Sequence, residues 1–376
     1  MPLPPLVEPI ERLRPDESVR TARHAALAGF GDLAQRRLAA AHVAVVGAGG
    51  IGAPVVLALS AAGVGRLTVI DDDVVEASNL QRQVIHRRTD IGRPKADSAT
   101  RVAQELSSTD VCTHVERLDA GNAARLLAGA DVIIDGTDTF ATREVVATAS
   151  EELGVPLVWG VVQEFHAQAT VFWSRPPDGI DGVRLRDLYP PETVGDVPSC
   201  AQVGVLGALC LQLGAVLATE AIKLITGTGQ PLLGRVMLID ALRGRTTEVP
   251  LRTAGASGGE VRDAAPEPSG AAPASVPHLS PAEFDDARAA GAIAIDVRDP
   301  LETATGVIPG SHLVPLQALL SDPTAVAASG HVVVVCQVGI RAERAARALI
   351  AHGVDAAVLT GGIDAWRAAA RETVPA

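Results

Sequence analysis

Aromatic side chains are almost missing from this 376-residue chain: five Phe, three Trp and one Tyr make up 2% of it. So few rings leave little material for a base-stacking surface. Cations are short as well, and a formal charge of −12 would repel nucleic-acid phosphates. Only four cysteines occur, Cys112, Cys200, Cys210 and Cys336, with no CxxC pair among them. They exclude a disulfide framework and fit a reducing, cytoplasmic setting. The opening MPLPPLVEPIERLR has no apolar core of the kind a signal peptide needs. A clean membrane span is also lacking. The most apolar stretch, Val203 to Thr219, contains Gln212 and several glycines and is followed directly by Glu220 and Lys223. That pattern predicts a buried core or interface helix.

Hydrophobic residues are plentiful at 47%, enough for real cores, and the length predicts two domains or more. The most informative segment is 43 to 95. Val43 to Val46 is an apolar, β-branched run suited to a buried parallel strand. It leads into Gly47-Ala48-Gly49-Gly50-Ile51-Gly52, a helical stretch, and a second strand from Leu67 to Ile70 that ends on Asp71. Strand, glycine turn, helix, strand and carboxylate form the order of a mononucleotide-binding βαβ unit. Glycines let the backbone approach phosphate, and the helix N-terminus offers unpaired N–H groups to an anion. This pattern alone does not choose between a redox cofactor and ATP. Ser78-Asn79-Leu80-Gln81-Arg82 and Lys95 then place polar and cationic groups where a nicotinamide would need an apolar slot. They suit chemistry at phosphorus, and so ATP.

The region from Ser18 to Ala41 is expected to be helical, with Arg20, Arg23, Arg36 and Arg37 on a solvated face. Ala96 to Leu106 is expected as a helix, and Asp131 to Asp135 as another buried strand leading into Gly136-Thr137-Asp138-Thr139. Asp138 is placed to hold magnesium between phosphates, or to cap the helix expected from Arg143 to Leu153. Val155 to Trp159 and Ala169 to Trp173 are expected strands, and Met237 to Asp240 the last strand of the first domain. Cys200 ends a Pro- and Gly-rich loop before the apolar helix, a position for either a reactive thiolate or simple packing. Cys210 is assigned to packing, and Cys112 has no reactive context in the sequence. Residues 252 to 276 carry no periodic apolar pattern and are expected to form a flexible tether. In the last hundred or so residues, strand Val332 to Val335 runs into Cys336-Gln337-Val338-Gly339-Ile340-Arg341 and then a helix from Ala342 to His352. A cysteine opening such a loop gains a cradle of N–H groups, with Arg341 adding charge near its close. The Cys-to-Arg spacing is one residue short of a phosphate-wrapping phosphatase loop and favours a persulfide.

On these residues the sequence resembles two families. The first domain, 18–251, is similar to the MoeB/ThiF adenylyltransferases through GAGGIG, SNLQRQ, GRPK, GTDT and SCAQVGVLG. The second, 277–376, is similar to rhodaneses through AIDVRDPLE, GVIPGS, CQVGIR and LTGGIDAW. Their fusion in this order resembles the MoeZ branch. The resemblance implies an α/β architecture: a Rossmann-like ubiquitin-activating-enzyme fold, then a smaller α/β domain. It implies ATP-dependent adenylation of the C-terminal glycine of a ubiquitin-like sulfur carrier with a Gly-Gly end. Sulfur from a Cys336 persulfide would then give a thiocarboxylate. The donor would be a cysteine desulfurase or thiosulfate. Carried over by position, Gly47, Gly49, Gly50, Gly52, Asp71, Ser78, Asn79, Leu80, Gln81, Arg82, Lys95, Asp138 and Thr139 bind the nucleotide, and Asp138 holds Mg2+. Arg23 would reach a neighbouring subunit's site in a homodimer, and Cys200 would form or resolve a covalent intermediate. The zinc-binding CxxC pairs of many relatives are missing, so no zinc is expected. The competing readings are an NAD-dependent oxidoreductase with a regulatory rhodanese module, and a non-catalytic carrier-binding adaptor.

Overall fold

The computed structural model describes residues 3–190, 204–251, 276–298, 300–325 and 330–374. The chain divides into two compact units, Met1–Gly259 and Glu260–Ala376. In the first, one sheet holds β1 (His42–Val46), β2 (Arg66–Ile70), β3 (Asp110–His114), β4 (Val132–Asp135) and β5 (Leu157–Gln163) as a parallel set. Antiparallel strands β6 (His166–Phe172), β7 (Arg235–Asp240) and β8 (Arg245–Pro250) extend it. The order is β3-β2-β1-β4-β5-β6-β7-β8. β1 therefore has β2 on one side and β4 on the other, the switch point beyond whose carboxyl end ligands bind in such sheets. Val43 to Val46 are buried on both sheet faces, which explains their unbroken apolar run.

Several elements differ from expectation. The helix expected from Ser18 to Ala41 is divided into Pro15–Arg20, Ala22–Ala25 and Gly31–Ala40. Gly29 and Gly31, with φ of 79° and 69°, put left-handed turns into the chain there. Strand β3 was not expected, because its sequence DVCTH lacks a sustained apolar pattern. β7 is not the last strand of its sheet, since the wholly exposed β8 pairs with it.

The apolar stretch forms the helix Gly207–Thr226, which covers one face of the sheet with Leu209, Leu213, Leu217, Ala221 and Leu224 buried. It is long and apolar enough to cross a membrane by length and composition alone. A Cβ on Gly214 would lie 2.3 Å from Pro54 Cγ, so this helix packs tightly on helix Gly52–Ala62. Its one buried carboxylate, Glu220, accepts the Leu232 N–H at 2.7 Å and pairs with Lys223.

In the second unit β9 (His278–Leu279), β10 (Ile293–Asp296), β11 (His312–Leu313), β12 (Val332–Val335) and β13 (Ala356–Leu359) form a parallel sheet. Its order is β11-β10-β12-β13-β9. The central Val332–Val335 run is fully buried and delivers Cys336 at its carboxyl end.

Candidate functional site

A cavity of about 270 Å³ opens at the carboxyl ends of β1, β2 and β4. Four loops line it, the last being the segment after β3 that supplies Glu116, Arg117 and Leu118. The first is the glycine turn. Gly47 has φ of 89°, and a Cβ there would come within 3.0 Å of the Gly136 carbonyl oxygen. The first turn therefore packs directly against the turn after β4. Gly49 and Gly50 line the cavity, but Gly52 does not. A Cβ on Gly52 would sit 1.8 Å from the Gly47 carbonyl oxygen, so this glycine lets the helix close onto the turn.

The second loop follows β2. Asp71 lines the cavity, and its carboxylate accepts the Ala48 N–H at 2.6 Å and the Asp73 N–H at 2.9 Å. Burial pushes its pKa up, while the Ala48 amide and the Lys95 ammonium oppose the rise. Lys95, first residue of helix Lys95–Leu106, is buried, and its ammonium meets Asp73 Oδ2 at 2.7 Å. Arg82 lines the cavity and donates from Nη1 to the Ser78 carbonyl at 3.0 Å. Ser78, Asn79, Leu80 and Gln81 are not among the lining residues. The Asn79 side-chain oxygen accepts the Glu76 N–H at 3.0 Å and so shapes the turn that presents Arg82. The Gln81 carbonyl would lie 2.2 Å from a Cβ on Gly207, so this turn rests on the long helix.

The third loop follows β4. The buried Asp135 Oδ1 accepts the Thr137 N–H at 2.9 Å and its hydroxyl at 2.7 Å. Asp135 Oδ2 is buried without a hydrogen-bond partner, and burial raises the carboxyl pKa against the pull of Arg143. Asp138 and Thr139 line the cavity. Thr139, not Asp138, caps helix Phe140–Leu153, its hydroxyl accepting the Thr142 N–H at 3.3 Å.

Gln83, Glu116, Arg117, Arg143 and Cys210 are among the lining residues not singled out as nucleotide contacts in the sequence. Arg143 donates to the Thr137 carbonyl at 3.0 Å and lies over the Trp159 ring at 5.9 Å. Cys210 is buried as expected of a packing residue, yet its sulfur would lie 3.2 Å from a Cβ on Gly50. A helical position facing the glycine turn was the signal available for it. Arg23 is exposed on the short helix Ala22–Ala25, outside the cavity. Cys200 and residues 252–275 of the expected tether lie outside the described residues, whereas Val276, its last residue, is buried in the core of the second unit.

In the second unit, Cys336 is 1% exposed and its sulfur accepts the Gly339 N–H at 3.1 Å. The loop is shorter than the six residues expected, because helix Ile340–Ala351 starts directly after Gly339, whose φ is 106°. Arg341 thus lies in the first helical turn, and Glu302 binds its guanidinium through both carboxylate oxygens at 2.7 and 2.5 Å. Its charge is compensated rather than left open to the loop. A second support comes from behind. The Cys336 and Gln337 carbonyls accept N–H groups of Ile363 and Asp364 at 2.9 and 3.2 Å. The Gln337 amide donates to Asp364 Oδ1 at 2.6 Å. Val338 is half-buried in the loop. Arg298, wholly buried with Asp296 at 2.7 Å, reaches Gln337 Oε1 at 3.4 Å. Among the described residues no group of three or more His, Cys, Asp or Glu side chains is placed to hold a metal ion.

Comparison with known proteins matches each unit to a family. The ThiF family model matches residues 21–258, and the rhodanese-like domain model matches residues 280–369. The chain is 42% identical over 97% of its length to the probable adenylyltransferase/sulfurtransferase MoeZ of Mycobacterium tuberculosis, covering 96% of that protein. It is 44% identical over 62% of its length to the SAMP-activating enzyme E1 of Haloferax volcanii, covering 85% of it. It is 41% identical over 63% of its length to the sulfur carrier protein adenylyltransferase of Thermus thermophilus, covering 88% of it. Escherichia coli MccB, solved with ATP, superposes with a TM-score of 0.53 at 20% identity over 63% of this chain and 73% of that one, a likeness of fold alone. The chain belongs to the ThiF family, with a rhodanese-like domain following in the same polypeptide.

Proposed function

We propose that this protein is an adenylyltransferase/sulfurtransferase that converts the C-terminal glycine carboxylate of a ubiquitin-like sulfur carrier into a thiocarboxylate. One observation carries the reading. A nucleotide-sized crevice with Arg82, Lys95 and Asp138 on its walls shares a chain with a buried cysteine whose sulfur accepts a loop amide. A chain with only the first would stop at an activated ester; one with only the second would lack a good leaving group.

In the first step the carrier carboxylate attacks the α-phosphorus of ATP and pyrophosphate leaves. Arg82 and Lys95 neutralise charge growing on the phosphate oxygens. For Lys95 this requires exchanging Asp73, 67% exposed at its side chain, for phosphate. The glycine turn brings backbone close to the nucleotide, and Asp71 holds that turn through the Ala48 N–H. Mg2+, when bound, supplies further charge neutralisation, and Asp138 on the cavity wall is the carboxylate to hold it. In the second step the outer sulfur of a Cys336 persulfide attacks the acyl-adenylate carbonyl and AMP departs, leaving an acyl disulfide. A second thiol, assigned to Cys200, attacks the Cys336 sulfur; the bond between the two sulfurs breaks and the thiocarboxylate leaves. A Cys200–Cys336 disulfide remains; a thiol reductant opens it, and a cysteine desulfurase or thiosulfate then reloads Cys336. The same reading takes the protein as a cytoplasmic homodimer without zinc, with Arg23 completing the partner's nucleotide site.

The oxidoreductase reading is not favoured, because charged Arg82, Lys95, Asp138 and Arg143 line the crevice where nicotinamide needs an apolar slot. The relatives' names favour an enzyme over a passive adaptor. The test is carrier-dependent exchange of labelled pyrophosphate into ATP. Exchange that appears only with a Gly-Gly carrier supports the proposal; none with any such carrier contradicts it.

A further inference from the structure

Edge strand β3 carries Cys112 and His114, which the adenylation reading does not use, and Glu116 follows two residues beyond the strand, on the wall of the nucleotide cavity. Residues 112 and 114 alternate along the strand and share one face, and the bend after it brings Glu116 up to His114. The Cys112 sulfur lies 3.6 Å from His114 Nε2, and His114 Nδ1 lies 3.6 Å from Glu116 Oε1. Glu116 is held in turn by Arg125 at 3.2 Å and by the Asn122 amide at 3.4 Å. Cys112 and His114 are both half-buried, and β3 ends its sheet, so the sulfur is within reach of a small molecule. Cys210, at 1% exposure, is not.

This order of groups has a chemical direction. The Glu116 carboxylate favours a proton on His114 Nδ1, which leaves the Nε2 lone pair facing the thiol. The thiol then donates to Nε2. A thiol, an imidazole and a carboxylate so arranged form an activated nucleophile. We propose that Cys112 is a thiol-modification site that reacts with small disulfides. As the sulfur attacks, His114 takes its proton, a new S–S bond forms, and the disulfide's own S–S bond breaks. The departing thiolate takes up the proton and leaves as a thiol, so the exchange balances without a further oxidant.

The experiment treats the full-length protein with glutathione disulfide at neutral pH and follows the Cys112 adduct by peptide mass spectrometry. The reference is a synthetic peptide of residues 110–116 under the same conditions. Cys112 in the protein should react about a hundredfold faster than in the peptide, the modest end of general-base assistance. His114→Gln should bring the rate down to the peptide's, and Glu116→Gln should leave it between the two. A wild-type rate no greater than the peptide's overturns the proposal, as does a rate unchanged in folded His114→Gln. The wild-type comparison decides the matter even if a variant fails to fold, and it does not depend on ATP or on a carrier.

Discussion

Gly362→Ala should separate the two activities of this chain. Gly362 begins helix Gly362–Ala368 with φ of 57°, in the left-handed region. A Cβ there would lie 2.3 Å from the Cys336 carbonyl oxygen and 2.6 Å from the Gln337 carbonyl carbon and oxygen. Real contacts of this type are about an ångström longer, so the loop holding Cys336 must move by roughly that much. The backbone conformation itself costs about 1–2 kcal/mol for a residue with a Cβ. The displaced loop also loses the Ile363 and Asp364 N–H bonds to the Cys336 and Gln337 carbonyls, worth about 1 kcal/mol each. A total of about 3–4 kcal/mol is tolerable for a domain stable by about 5–15 kcal/mol, so the unit should still fold. Misplacing a nucleophile by an ångström costs about a hundredfold in rate. The assay compares sulfur transfer from thiosulfate with carrier-dependent pyrophosphate exchange in the same preparation. Transfer should fall about a hundredfold while exchange stays at the wild-type rate. Gly353→Ala is the control, because Gly353 has φ of 82° and nothing within 4 Å of the added Cβ. Its transfer rate should stay close to wild type. Full sulfur transfer by Gly362→Ala would refute the role given to the loop's rear support.

Four further outcomes are expected. Lys95→Ala should lower pyrophosphate exchange by about 10²–10³, the usual loss when one charge-stabilising donor is removed. Asp73→Asn should lower the KM for ATP, because Lys95 no longer has to leave a carboxylate; steady-state kinetics of both variants checks this pair. Stability should fall as pH drops below 6.5, the ordinary value for His86. Burial lowers the pKa of His86 in the folded state, where Nε2 donates to the Ala48 carbonyl at 3.1 Å and Nδ1 is buried without a partner. The unfolded chain therefore binds the proton first, and His86→Gln should flatten that acid limb in urea melts recorded from pH 5 to 8. Cys336→Ala should keep exchange and lose all sulfur transfer, read by intact mass of the carrier.

The central βαβ unit was legible because burial on both faces forces an unbroken Val43–Val46 run, and because a close turn forces glycine. Arg82, Lys95 and Asp138 could be placed by position along the chain. Their partners could not. Asp73 meets Lys95 only after twenty-two positions of chain fold back, and Glu302 meets Arg341 across thirty-nine. Such pairings are set by tertiary structure and leave no local pattern. The Asn79 side-chain oxygen serves the backbone of its own turn, a role that its polarity in the sequence does not reveal. β3 and β8 escaped notice because edge strands bury little and need no apolar alternation. The alternation that did exist in β3, Cys112 and His114 leading to Glu116 just beyond it, is chemical rather than hydrophobic, and only the fold reveals it.

The central claim is that one chain makes the adenylate and then displaces AMP with its own sulfur. Intact-mass analysis of a Gly-Gly carrier after incubation with the protein, ATP, Mg2+ and thiosulfate tests this most directly. The account predicts replacement of one carrier oxygen by sulfur, with Cys336→Ala stopping at the adenylate. A carrier left unchanged by the wild-type protein, or thiolated equally well by Cys336→Ala, would contradict it.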